Sequence, residues 1–149
     1  MHIHFTILLI LQLTWAVCAQ GQTKQPEIIQ IEFHTLTRGA YENVRITKDS
    51  VQIKKKNITD EKERKSARKL KHKEWIDLLN TTKNISLQDI PLLKSPTSDR
   101  ASDGAYHSTI IITTEDKQSA THAFDNEKPN EKMQLLMLAI RKITKFGNQ

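Results

Sequence analysis

Short runs of apolar residues spaced two apart, joined mostly by connections too brief for a crossover helix, restrict this chain to a largely antiparallel sheet. Ile29, Ile31 and Phe33 alternate with Gln30, Glu32 and His34, the pattern of a strand with one buried face. Arg38-Gly39-Ala40 supplies a turn, and Val44 and Ile46, then Val51 and Ile53, form a hairpin around Lys48-Asp49-Ser50. Tyr106 to Thr114 contains Ile110, Ile111 and Ile112 in succession, which suits an internal strand with apolar residues on both faces. Glu115-Asp116-Lys117 turns the chain back into a last strand from Ser119 to Phe124.

Helical spacing occurs twice. Trp75, Leu78, Leu79 and Thr82 place one amphipathic helix over Lys71 to about Lys83, with Trp75 as its anchor and a possible start as early as Asp60. Met133, Leu136, Met137, Ile140 and Ile143 trace a closing helix, with Pro129 near its first turn. Between them, Ser86-Leu87-Gln88-Asp89 has the form of a capping box before Pro91, and Ser95 to Gly104 is a turn-rich loop. The expected fold is α+β: an antiparallel sheet of about five strands, β-β-β-α-β-β-α, with helices packed on one face. Trp75, Ile29, Ile31, Phe33, Val44, Ile46, Ile110, Ile112, Leu136, Met137 and Ile140 are the expected core of one domain spanning residues 28–146.

Residues 1–19 read as a secretory signal. Phe5 to Val17 carries no charge, is short of the roughly 20 residues of a membrane span, and leads into Val17-Cys18-Ala19, where a signal peptidase finds its small residues. Cleavage after Ala19 would discard Cys18, the single cysteine, and leave a mature chain held by burial and not by disulfides. Residues 20–27 then form a polar leader, and the expected location is periplasmic or secreted.

The chain carries a net charge of +6, but the charge is local. The segment 54–73 contains ten basic residues against Asp60, Glu61 and Glu63. Past Ile58 its apolar residues are Ala67 and Leu70, so it reads as an exposed arm or frayed helix that folding does not require. Lys54, Lys55, Lys56, Lys65, Arg68, Lys69, Lys71 and Lys73 are its candidate contacts to anionic lipid or polysaccharide. No aromatic residues interleave with them, which argues against sequence-specific nucleic-acid binding.

Catalytic constellations are sparse. His34, His72, His107 and His122 lack close metal-ligand spacing, so no metal is assigned. The four glycines include no GxG, so no phosphate-cradling loop or cofactor is assigned either. Asp103, His107 and His122, with Ser108 and Asp125 nearby, define the alternative of a small extracytoplasmic hydrolase. Ser108 sits within a strand and lacks the glycine-flanked elbow of a hydrolase nucleophile, so a non-catalytic interaction or structural role is the primary reading. Sequons occur at Asn57-Ile58-Thr59, Asn80-Thr81-Thr82 and Asn84-Ile85-Ser86.

IEFHTLTRG at Ile31 to Gly39, ITKDS at Ile46 to Ser50, KEWIDLLN at Lys73 to Asn80 and the passage IPLLKSPTSDRASDGAYHSTIIIT resemble uncharacterised small domains that Bacteroidetes-type bacteria export. The resemblance runs over most of residues 28–143 and implies an α+β fold and a bacterial periplasmic or secreted location; the partner expected there is an envelope or extracellular one of unknown identity. It implies no active-site residue. Asp49-Ser50-Val51 is similar to the short motif that such bacteria O-glycosylate.

Overall fold

The structure, a computed structural model, describes residues 26–101 and 105–145. The signal sequence, Cys18, most of the polar leader and Asp103 lie outside the described residues. The fold is α+β, built on one antiparallel sheet of six strands. In chain order these are β1 (Ile28–Thr37), β2 (Ala40–Thr47), β3 (Ser50–Lys56), β4 (Arg64–Lys69), β5 (His107–Thr114) and β6 (Ser119–Asp125). Helix α1 (His72–Asn80) follows β4, and α2 (Gln134–Thr144) follows β6. Across the sheet the order is β4-β3-β2-β1-β5-β6, so β1 is central and β5 internal.

The strand count corrects the sequence expectation of five. The additional strand, β4, is RKSARK, the middle of the basic segment. It pairs with β3 from Ser50↔Lys69 to Lys55↔Arg64, so the segment is neither an arm nor a frayed helix. Its sequence hides it because one neighbour is missing. An edge strand needs no apolar face of its own, and charged residues along it deter pairing with other chains. Helix α1 accordingly starts at His72 and not near Asp60.

Register aligns the buried side chains of neighbouring strands in rows. Phe33 lies between Val44 and Ile110, and Ile31 between Ile46 and Ile112. Val51, Ile53, Ala120 and His122 extend these rows outward, and all are buried. Trp75 and Leu78 of α1 and Leu136, Met137, Ile140 and Ile143 of α2 join the same cluster. One expected core residue falls outside it. Ile29 is 43% exposed because the β1–β5 ladder shifts register between Ile28 and Gln30. That bulge leaves Ile29 without a partner and turns Ile28 toward the core in its place.

Between β1 and β2 the hairpin leaves only Arg38-Gly39, and Gly39 has φ +81. A turn with positive φ at its second central residue strains any side chain but suits glycine. After β4, Leu70 donates its N–H to the Asp49 carbonyl at 3.0 Å, tying the start of α1 to the β2–β3 turn. Arg68 reinforces the tie with hydrogen bonds of 2.9 and 2.8 Å to Glu74 of α1 and 2.9 Å to the Ile143 carbonyl of α2.

Candidate functional site

Alternation divides the sheet residues between two faces. Ile31, Phe33, Val44, Ile46, Ile110 and Ile112 belong to the core face. The second face carries Glu32, His34, Asn43, Arg45, Gln52, Lys54, Lys65, Ala67, Thr109 and Ile111 at intervening positions. Most of these are exposed or half-buried; Glu32 is the exception. Its carboxylate accepts from Arg45 Nε at 2.8 Å and Gln30 Nε2 at 2.9 Å, and lies 3.1 Å from His34 Nε2.

Half of that second face is basic. Lys54 sits directly opposite Lys65, with Lys56 at the next position of that face on β3, Lys69 beyond Ala67 on β4 and Arg45 one strand inward. Like charges directly opposite one another across a ladder destabilise it. Glu63 offsets part of the repulsion: it lies 3.1 Å from Lys65 Nζ and accepts from the Tyr41 hydroxyl. Those contacts hold the Glu63 carboxyl below its usual range, with the Tyr41 hydrogen bond the largest cause, and push the Tyr41 hydroxyl up.

The eight basic candidates therefore separate. Lys54, Lys56, Lys65 and Lys69 share the second face, whereas Lys55 and Arg68 belong to the core-face side. Arg68 is a clamp between β4 and both helices. Lys71 and Lys73 precede and open α1, and Lys73 pairs with Asp77 at 2.9 Å. Arg45 is the residue that sequence reasoning missed. It lies in β2, outside the charged run, and only the pairing Arg45↔Gln52 places it beside Lys54.

The hydrolase candidates fall apart in the same register. His107 is an exposed residue paired with Asp125, whereas His122 is buried opposite Ile110 on the core face. Ser108 is buried, its hydroxyl donating to the Asn126 carbonyl and lying 2.9 Å from the Thr35 hydroxyl, which can donate in return. Asp125 is fully buried and holds the loop before β5. Thr97 Oγ1 donates to it at 2.6 Å, the Asp99 N–H at 2.8 Å, the Arg100 N–H at 3.2 Å and the Arg100 guanidinium at 3.4 Å. Among the described residues, no group of three or more His, Cys, Asp or Glu side chains could hold a metal ion. No described helix is long and apolar enough to cross a membrane.

Two buried titratable groups on β6 make the same loop acid-sensitive. His122 Nε2 accepts the Asn130 N–H at 3.1 Å. Burial lowers its pKa, the Arg100 charge lowers it further, and a Leu93 backbone hydrogen bond opposes both. Asp125 is also held below its ordinary value, by the Thr97 hydrogen bond above all, against the opposing effect of burial. At both sites the unfolded chain takes up a proton more readily than the folded one. Stability present at neutral pH is therefore lost as pH falls, below about 6.5 for His122 and below about 4 for Asp125. Urea midpoints should decline in two stages between pH 7.5 and 3. Asp125→Asn, already weaker at pH 7.5, should show a shallower lower stage, the remainder belonging to Glu63 and Glu74, whose carboxyls are also held low. A flat midpoint from pH 7.5 to 5 would contradict the role given to His122.

A second feature lies at the end of the sheet where β1 passes into β2. A cleft of about 250 Å³ is lined by Thr35, Tyr41, Glu42, Lys55, Tyr106 and Arg141, among others. Arg141 of α2 reaches into it with its guanidinium 4.7 Å from the centre of the Phe33 ring. Nη1 donates to Glu42 at 2.6 Å and Nη2 to Glu127. Burial alone would lower the pKa of Arg141, but the bonds to Glu127 and Glu42 outweigh it and raise the value. Comparison with family models, characterised proteins and solved structures returns no match to this chain.

Proposed function

We propose that this protein is a non-catalytic domain exported to the bacterial envelope or beyond it, with its helices packed on one face of the sheet. The other face binds an anionic polymer, an acidic polysaccharide of the envelope. The observation that carries this reading is the placement of Lys54 opposite Lys65, with Arg45, Lys56 and Lys69 around them. Such a cluster costs the isolated fold stability that an anion would restore. Polymer is favoured over membrane by the residues between the charges. Asn43, Gln52 and Ala67 include no long apolar side chain to enter the acyl region of a bilayer, while the two amides suit sugar hydroxyls and carboxylates.

The protein should be retained on an alginate column at low ionic strength and released by roughly physiological salt, since exposed charges are screened over about 8–10 Å there. Lys54→Gln/Lys65→Gln/Lys69→Gln should elute earlier with its urea midpoint preserved or raised. Co-elution of this variant with the wild type would refute the site. Preference for anionic vesicles over alginate at equal salt would transfer the face to a membrane partner.

A further inference from the structure

We propose that the cleft beside Arg141 is a binding site for a small carboxylate, whose carboxyl group takes the place of Glu127 on the guanidinium. The two acidic partners of Arg141 are not equivalent. Glu42 projects from a paired position of β2, opposite both Thr35 and Lys55, and its side chain is 17% exposed. Glu127 follows Asn126, a residue with φ +54, in the turn after β6, and its side chain is 53% exposed. One carboxylate is part of the frame. The other rests on Arg141 from an exposed turn, and an ion pair of that kind contributes little to stability, so its exchange for a ligand carboxylate is inexpensive.

The guanidinium is prepared for that exchange. Its stacking on Phe33 and its bond to Glu42 fix the plane and direction of the remaining donors. Planar, directed N–H groups favour a carboxylate over a point anion. With Glu127 displaced, the lining groups Arg141, Lys55 and Lys56 face the single carboxylate Glu42, so the cleft attracts anions. Tyr41 and Tyr106 flank it, and Thr35 and Asn126 bring further polar groups. At about 250 Å³ the cleft is below the roughly 300–1,000 Å³ of sites for drug-sized molecules, which limits the ligand to the size of a dicarboxylic acid or one sugar acid. Lys56 stands at the edge of both sites; the other charged residues of the cleft, Arg141, Glu42, Glu127 and Lys55, lie off the basic second face.

Succinate and glucuronate are suitable probes, titrated into the mature domain while amide and Arg Nε–H signals are followed by NMR. Shifts are expected at Arg141, Glu127 and Tyr106 by about 10 mM ligand. Glu127→Gln, which weakens the internal competitor, should tighten binding roughly twofold to fivefold. Arg141→Lys should lose it. Lys56→Gln, which leaves the Arg141 anchorage in place, should weaken it and so gives a reading even if the Arg141 variant fails to fold. Binding of glucuronate alone would support the site and define it as a sugar-acid site. Absence of shifts at Arg141 with either acid, or equal affinity in wild type and Glu127→Gln, would overturn the proposal.

Discussion

A chain lacking Lys62 to Lys69 is expected to lose its cooperative unfolding transition. The deletion removes β4, and with it the ladder from Ser50↔Lys69 to Lys55↔Arg64. Val51 and Ile53, both buried, would lose cover on that flank, and β3 would become an edge. The tie from Leu70 to the Asp49 carbonyl would lose its geometry, because Leu70 could no longer reach the turn from a strand. The loss is on the order of several kcal/mol, comparable with the whole stability of a small domain. A point change isolates one part of it. Arg68→Ala removes bonds to Glu74 and to the Ile143 carbonyl, and should cost roughly 1–3 kcal/mol because a partly buried carboxylate loses its charge-assisted bonds and keeps the Lys71 N–H. Thermal denaturation followed by circular dichroism measures both. A deletion variant melting as sharply as the wild type would return the segment to the status of a dispensable arm.

Both errors of sequence reading come from strand pairing, since periodicity reports burial and not hydrogen bonding, but they arise in different ways. β1, β2, β3, β5 and β6 were legible because each buries alternate apolar side chains, and both helices because Trp75 and Leu78, or Leu136, Met137 and Ile140, fall on one stripe. β4 buries almost nothing, so only its ladder defines it, and a ladder leaves no trace in composition. Ile29 failed differently. Ile28 and Ile29 are the same residue type, so nothing local tells which one faces the core, and the bulge that decides it belongs to the pairing with β5.

Sites were less legible than the fold for a related reason. Asp125 could be flagged as a carboxylate near a histidine, but its partners Thr97, Asp99 and Arg100 lie far back in the chain and make it a structural clamp. Arg141 attracted no notice within an amphipathic helix. Its chemistry arises from Glu42 and Phe33, which the sheet brings beneath it, and from Glu127 in the turn after β6.

Phe33→Ala should cost about 3–5 kcal/mol, the usual range for emptying a core aromatic site. Phe33 is fully buried on the central strand, between Val44 and Ile110, with the Phe124 ring centre 6.5 Å away. Strands hold it on both sides, so the site has little freedom to collapse around an alanine, which argues for the upper part of the range. The aromatic pair with Phe124 adds a contribution beyond buried area. Phe33→Leu restores much of the volume and should cost far less, about 1–2 kcal/mol. It also removes the ring under the Arg141 guanidinium while leaving Glu42 in place. Its carboxylate affinity should therefore fall although the fold persists, since the guanidinium loses the surface that sets its plane. Urea denaturation separates the two substitutions, and the m-value should stay constant if both act on the native core. A cost below about 1.5 kcal/mol for Phe33→Ala would mean that the sheet centre repacks, and that the support beneath the Arg141 guanidinium is softer than its close packing implies.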